Sequence, residues 1–563
     1  CLMSDKAPLP VVLYWHMHQP SYEDPIQHHY EAPWTYLHGI KDYVDMAAHL
    51  EAEPLARAVV NFTPTLLEQI ADYARQLQTA ASGQDGLRDP LLQALAGPVL
   101  PAEARQRLVL IQAALHIDRA QVIERFTPYR RLARLADWVL EHPAGLTYLA
   151  DQFLIDLLVW YHLAWLGETV RRSEARARQL IEKGGHYTLA DRNLLIALLA
   201  ELMASIIPRY RKLAEQGRIE LSVTPYSHPI LPLLLDFKAA HEAQPQALLP
   251  LAAAYPGGEA RALWQIMEAK RVFRHYFGFD PVGVWPAEGG VCQRTLALLR
   301  QNGFRWAATG QGVLRHSLGL EQPTPHQLHR PYQPPEGPAC FFRDDELSDR
   351  IGFQYRNWHG DDAVSNLIHE LERLADQDHP PGQVVSIILD GENAWEYYPE
   401  NAYHFLSALY RRLAAHPRFQ LTTFSAVLDA LPSETIETLD KVVAGSWVYG
   451  NFAIWIGDPD KNRAWDLLVE AKRTFDRVMA EGRLDETQRA QAERQLAHCE
   501  ASDWFWWLGG DNSAVNVAQF ERLFRLHLAA LYQMLGEAVP DQLTRPFAQG
   551  LIDGTGSAMR GGT

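Results

Sequence analysis

Residues 384–389 read Val-Val-Ser-Ile-Ile-Leu, an almost unbroken apolar run that ends abruptly in Asp390, Gly391, Glu392 and Asn393. A strand with one face in water alternates apolar and polar residues, so a run with no polar face must be covered on both sides. Strands of that kind belong to parallel sheets, where crossover helices lie over the faces. The chain has to supply helices between its strands, and it does. Further β-type runs at 11–15, 59–62, 219–223, 282–285 and 306–309 are separated by helical stretches. Thr63 and Pro64 read as the N-cap and first residue of a helix carrying Leu66, Ile70, Tyr73 and Leu77 at helical spacing. Residues 261–277 read as another helix, closed by Gly278. The alternation predicts a parallel α/β barrel.

A chain of 563 residues exceeds one ordinary domain and suits an enlarged barrel with appendages. Residues 8–431 are read as the catalytic barrel. Within it, 101–216 is rich in Ala, Leu and Arg at helical spacing and reads as a helical insertion. After Leu431 the pattern turns mainly helical, with Phe520, Phe524, His527, Leu531 and Met534 on one apolar face, so 432–550 is read as a helical C-terminal domain completing the cleft. The Pro-rich stretch 323–337 reads as a loop near the barrel mouth, and 551–563 as a frayed tail.

Charge and cysteine usage exclude several classes. Lys and Arg total 52 against 68 Asp and Glu, a net charge of -16 with no basic block, so nucleic acid is not an expected partner. No apolar run reaches transmembrane length and no signal peptide is seen; a cytoplasmic protein without membrane contact is expected, with export or lipid anchoring at Cys1 left open. Cys1, Cys292, Cys340 and Cys499 are scattered, which suits a reducing compartment rather than a zinc ribbon or redox motif. Oligomeric state is not legible. The 16 Trp and 22 Tyr serve cores first, but also form platforms for neutral sugar rings.

Chemistry-bearing residues stand just after the strand-like runs, and in parallel barrels those loops build the active face. Asp390 and Glu392 follow 384–389 directly. Glu288 follows 282–285 between Pro286, Ala287 and Gly289, small neighbours that let a ligand approach. A lone carboxylate in such a place often caps a helix or forms an ion pair. Two in matching positions suit glycosidic-bond cleavage, in which one attacks the anomeric carbon and the other protonates the leaving oxygen. If both face one cavity, burial and repulsion raise the pKa of the acid. Alternate residues of an extended segment share a side, so His16 and His18 after the first run point together. They either bond sugar hydroxyls or ligate a divalent metal, with core packing as the plain alternative. Tyr226, Ser227 and His228 follow 219–223 in the same manner. Ser502, Asp503, Trp504, Phe505, Trp506 and Trp507 form a dense aromatic cluster beside an acid, suited to a glucose ring.

In order along the chain, the segments 16–20, 226–234, 285–289, 389–395 and 502–507 resemble the five sequence regions of glycoside hydrolase family 57, in particular its α-amylase and amylopullulanase-like members. Stretches 33–46, 61–70, 341–355 and 445–465, the last with Gly445-Ser446-Trp447, look familial too. The resemblance implies an incomplete (β/α)7 barrel with a helical domain, and a retaining double displacement with Glu288 as nucleophile and Asp390 as general acid/base. It further implies substrate contacts at His16, His18, His228, Trp285, Glu392, Trp395, Asp503 and Trp504. The implied substrate is an α-glucan such as starch, glycogen or a pullulan-like polymer, cut at α-1,4 bonds, with cleavage of α-1,6 bonds left open. No cofactor is required and no metal ligand is assigned, while a structural calcium stays open. Relatives often carry an acid after the run corresponding to 306–309, where Gly310 and Gln311 stand here, so subsite contacts are expected to differ. Three alternatives remain: a 4-α-glucanotransferase or branching-type transglycosylase, a metal-dependent carbohydrate deacetylase using His16, His18 and Asp390, and a non-catalytic glucan-binding protein.

Overall fold

The structure is a computed structural model that describes residues 7–377 and 381–550. Seven parallel strands form its centre: β1 (Leu9–Met17), β2 (Ala58–Phe62), β3 (Ile219–Val223), β4 (Gly283–Val284), β5 (Trp306–Thr309), β6 (Ala339–Phe342) and β7 (Val385–Asp390). They lie side by side in the order β7-β1-β2-β3-β4-β5-β6. Among the described residues no ladder joins β6 to β7, so the barrel is incomplete. Side-chain and turn contacts bridge that seam: the Asp344 N–H reaches the Ser386 carbonyl at 2.8 Å and Arg343 Nε donates to the Ile388 carbonyl at 2.7 Å.

Strand alternation divides the sheet into two cores. Val12 and Tyr14 of β1, Val59 of β2, Trp306 and Ala308 of β5, Phe341 of β6 and Ile388 of β7 pack with Trp285 and Phe424 as one small interior cluster. Their sequence neighbours Val11, Leu13, Trp15, Val60, Phe62, Ile387 and Leu389 join the large outer core under the helices. This double coverage is why 384–389 lacks a polar face. Packing inside is tight enough to dictate a glycine: a Cβ on Gly283 would lie 1.8 Å from the Trp306 ring.

Between β2 and β3 the described chain is wholly helical, from α1 (Pro64–Ala81) to the 27-residue α2 (Leu189–Glu215), which packs along α1. Thr63 does precede α1, yet its hydroxyl caps nothing and instead meets His18 Nδ1 at 2.9 Å. Helix α3 (Gly258–Phe277) ends at left-handed Gly278 and begins three residues before the expected start.

Two expectations need correction. The stretch 323–337 is not at the mouth: it carries a helical turn (Pro325–Leu328) and a short strand (Tyr332–Gln333) and leads into the N-terminal end of β6. Val384 N–H donates to the His329 carbonyl, which ties this stretch to the end of β7 opposite Asp390. The chain after Leu431 is also not helical at once: Glu437–Thr438 adds a parallel strand beside Tyr332–Gln333, and Gly445 bridges to Val291. Helices follow, namely α4 (Pro459–Glu481), α5 (Glu486–Cys499), α6 (Ser502–Trp507) and α7 (Ala514–Met534). Strand β6 escaped the sequence reading because four residues behind a Pro-rich stretch show no period. Cys1 and 551–563 lie outside the described residues; Cys292, Cys340 and Cys499 are buried and unpaired. No described helix is long and apolar enough to cross a membrane.

Candidate active site

At the C-terminal ends of the strands the barrel interior changes from apolar to polar. Tyr14 OH meets Ser222 Oγ at 2.8 Å, Asn61 Nδ2 donates to the same Ser222 at 3.0 Å, and Asn61 Oδ1 stands 2.6 Å from His16 Nδ1. Strand register places His16 beside Asn61 on one side and Asp390 on the other. His16 Nε2 continues the chain to His228 Nε2 at 3.1 Å, and His228 Nδ1 meets Ser502 Oγ at 2.7 Å. Burial first, and then the neighbouring His18, pushes His16 down to about 3, so its imidazole is neutral. His228 is lowered as well, again chiefly by burial.

Glu288 sits in a tight turn after β4 with φ 60 and ψ 20, a left-handed conformation that a glutamate adopts only under constraint. The constraint comes from far along the chain. Trp447 N–H donates to the Glu288 carbonyl at 2.9 Å, Trp447 Nε1 to Oε2 at 3.1 Å, and Ser502 Oγ to Oε1 at 2.8 Å. Burial raises Glu288 to about 8; the charges of Asp503 and Asp390 add to the rise, while Ser502 and Trp447 oppose it.

Asp390 is the last residue of β7 and accepts from Asn393 Nδ2 at 2.7 Å. Burial raises its carboxyl too, against the Asn393 hydrogen bond and the charges of His18 and Arg343. Glu288 and Asp390 both line one cavity of about 400 Å³, together with His16, His18, His228, Glu392 and Asp503.

The family model of glycosyl hydrolase family 57 matches residues 12–440. The chain belongs to glycosyl hydrolase family 57. Its fold matches a GH57 branching enzyme from the archaeon Thermococcus kodakaraensis with TM-score 0.59 and 14% identity, over 95% of this chain and 93% of that one. An alpha-amylase from Thermotoga maritima matches with TM-score 0.58 and 15% identity, over 95% of each chain. A 4-alpha-glucanotransferase from Thermococcus litoralis matches with TM-score 0.51 and 15% identity, over 94% of this chain and 60% of that one.

Within this family 57 site the predicted residues divide into two groups. Those that line the cavity form one array. His18 meets Asp503 from Nε2 at 2.9 Å and stacks on His228 with ring centroids 3.8 Å apart and planes within 7°. Glu392 accepts the His18 N–H at 3.0 Å, while its other oxygen is buried without a partner. The second group lies behind the wall. Trp285 is fully buried against Tyr14 and Trp447, Trp395 spends its Nε1 on the Gly391 carbonyl at 2.7 Å, and Trp504 spends its own on the His498 carbonyl at 2.8 Å. None of the three faces the cavity, so direct sugar contact is withdrawn for them; their bulk fills the space under the loops. Trp506 and Trp507 do line it.

His18, His228 and Asp503 put nitrogen and oxygen atoms within 4.8 Å of one another. The two imidazoles are face to face, however, so their in-plane lone pairs run parallel instead of converging, and each ring nitrogen already has a partner. His16 likewise turns its two ring nitrogens to Asn61 and His228.

Trp447, Ser502 and Arg343 were not singled out by chemistry, although each falls in a stretch with familial character. Gly310 carries the signal that could have found Trp447. A Cβ there would lie 2.5 Å from Trp447 Cα, so glycine at this position makes room for the backbone that holds Glu288. Arg343 is pinned by Asp345 and Asp349 at 2.8 Å each, with its guanidinium over the Trp447 ring.

Proposed function

We propose that this family 57 enzyme cleaves α-glucans with retention, Glu288 acting as nucleophile and Asp390 as general acid/base. The observation that carries it is the convergence of two raised carboxyls, from β4 and β7, on one cavity. Glu288 carboxylate attacks the anomeric carbon while the bond to the leaving oxygen breaks and Asp390 gives that oxygen its proton. Water then surrenders a proton to Asp390 and displaces Glu288, restoring the original configuration. A proton on Asp390 removes part of the repulsion that lifts Glu288, so protonating the acid eases ionisation of the nucleophile. Ser502 and Trp447 stabilise the resulting carboxylate. This chemistry needs no metal ion. Glu392 and Asp503 offer carboxylate oxygens to the hydroxyls of the sugar between the two carboxyls, while His16, His18 and His228, whose ring nitrogens have protein partners, hold the wall of that pocket in place.

Transfer to a sugar hydroxyl is the second reading, favoured by the aromatic surface of Trp506, Trp507 and Trp34 along the cavity, which gives an acceptor ring somewhere to stack. Soluble starch, pullulan and maltotriose incubated side by side decide between the two. Hydrolysis gives shorter products and new reducing ends of retained configuration; transfer gives longer chains from maltotriose. Absence of any product from all three would reject the assignment.

A further inference from the structure

The Glu288–Asp390 pair leaves one wing of the cavity unused. Trp34, His38 and Trp165 wall it from the helical side, and Asn393, Glu396 and Tyr397 from the loop that follows Asp390. His38 ends the helix Trp34–His38, and the next five residues, Gly39–Tyr43, form a π-turn in which Val44 N–H reaches back to the Gly39 carbonyl. Such widened turns gather at functional sites, because they re-aim the side chains around them.

The result is a built side chain. His38 Nδ1 stands 2.6 Å from Asp42 Oδ2, and Asp42 is wholly buried. Lys41 Nζ donates to Asp42 Oδ1 at 2.8 Å and to Asn401 Oδ1 at 3.2 Å, while lying over the Trp165 ring. Lys41 balances the charge of Asp42, so the carboxylate serves to aim the imidazole. A carboxylate only accepts, so Nδ1 gives its hydrogen to Asp42, and Nε2 is the ring nitrogen left to meet a ligand hydroxyl. The His38 side chain is 12% exposed, and that exposure opens on the cavity.

We propose that His38, aimed by Asp42, binds a hydroxyl of the glucose unit on the leaving-group and acceptor side of the cleaved bond. It is then a specificity-determining residue. The inference rests on Asp390 being the acid/base. That group protonates the oxygen carried off by the departing sugar, and deprotonates the hydroxyl that arrives in its place, so a sugar on that side passes the loop after Asp390. Asn393 binds Asp390 directly, and Glu396 in the same loop lies within electrostatic reach of both His38 and Lys41. Glu288, by contrast, is held by Trp447 and Ser502. A glucose ring offers an apolar face and a rim of hydroxyls; Trp34 beside His38, ring centroids 6.5 Å apart, supplies the matching apolar surface.

The test compares two substrates in His38→Ala. Maltotetraose needs a sugar on the far side of the bond, whereas α-maltosyl fluoride has only fluoride there. We expect kcat/KM for maltotetraose to fall about tenfold or more, the loss of one well-aimed hydrogen bond, with a much smaller change on the fluoride. Transfer from the fluoride to added maltose should fall with it. His38→Gln, which keeps an acceptor, should recover part of the loss. Equal losses on both substrates, or no loss on either, would overturn the proposal. Turnover of the fluoride by the variant shows that it is folded. If the parent protein turns over neither substrate, the acid/base assignment falls and this inference with it.

Discussion

Glu288 and Asp390 both stand toward the C-terminal ends of central strands, but they are held in different ways. Asp390 continues β7 and takes its hydrogen bond from Asn393, three residues on. Glu288 has left-handed backbone and depends on Trp447 and Ser502, which lie 159 and 214 positions away. Asp390, the proposed acid/base, is a local product of its strand and loop. Glu288, the proposed nucleophile, is held by the C-terminal segment, which the proposal therefore includes in the catalytic unit. Burying a carboxylate is expensive unless donors meet it, and the two distant donors are what make an ionised Glu288 tenable.

The comparison is most severely tested by removing each carboxyl. Glu288→Ala and Asp390→Ala should each lower kcat on soluble starch by ~10³-fold or more. Azide should restore activity in both with opposite outcomes: an inverted glycosyl azide from Glu288→Ala and a retained one from Asp390→Ala. The same stereochemistry from both would mean that the roles are not divided as described.

Stability should separate the two next. Folded Glu288 holds its proton up to about 8, far above its unfolded value, so the folded state binds the proton more tightly. Its contribution is fully present at acid pH and is lost as pH rises through about 8, on the order of a few kcal/mol. Glu288→Gln abolishes that loss. Its unfolding midpoint should exceed that of the parent by a margin that widens between pH 5 and 8; a constant margin would show that Glu288 ionises without penalty.

Smaller effects follow from the hydrogen bonds. Ser502→Ala deletes a donor that lowers the Glu288 pKa, so kcat should fall about tenfold and the acid limb of the kcat/KM profile should move to higher pH. Asn393→Ala deletes the donor that lowers Asp390, so the opposite, alkaline limb should move up, with a loss of only about threefold. If both variants shifted the same limb, the division between locally and distantly held carboxyls would not stand.

The sequence carried much of this unevenly. Strand runs with small-residue or acidic exits were legible, because a doubly covered strand must be apolar throughout and its end must be polar to meet solvent. Gly278 announced the end of α3 through its left-handed conformation. Thr63 does stand at the N-cap with Pro64 opening the helix, yet its hydroxyl met His18, a partner no spacing reveals. Other signals misled for physical reasons. Trp285, Trp395 and Trp504 look like sugar platforms, but an indole shows nothing in sequence about which way it faces, and all three point into the core.

By itself the sequence determined the parallel barrel, the family and the two carboxylates that end its strands, because period, burial and turn chemistry act over a few residues. Only the tertiary structure decided that Trp447 and Ser502 grip Glu288, that His18 and His228 stack, and that His38 is aimed by Asp42 into the cavity. Those facts depend on which side chains meet across the fold. A hydrogen bond spanning two hundred residues leaves no periodic trace in the chain that makes it.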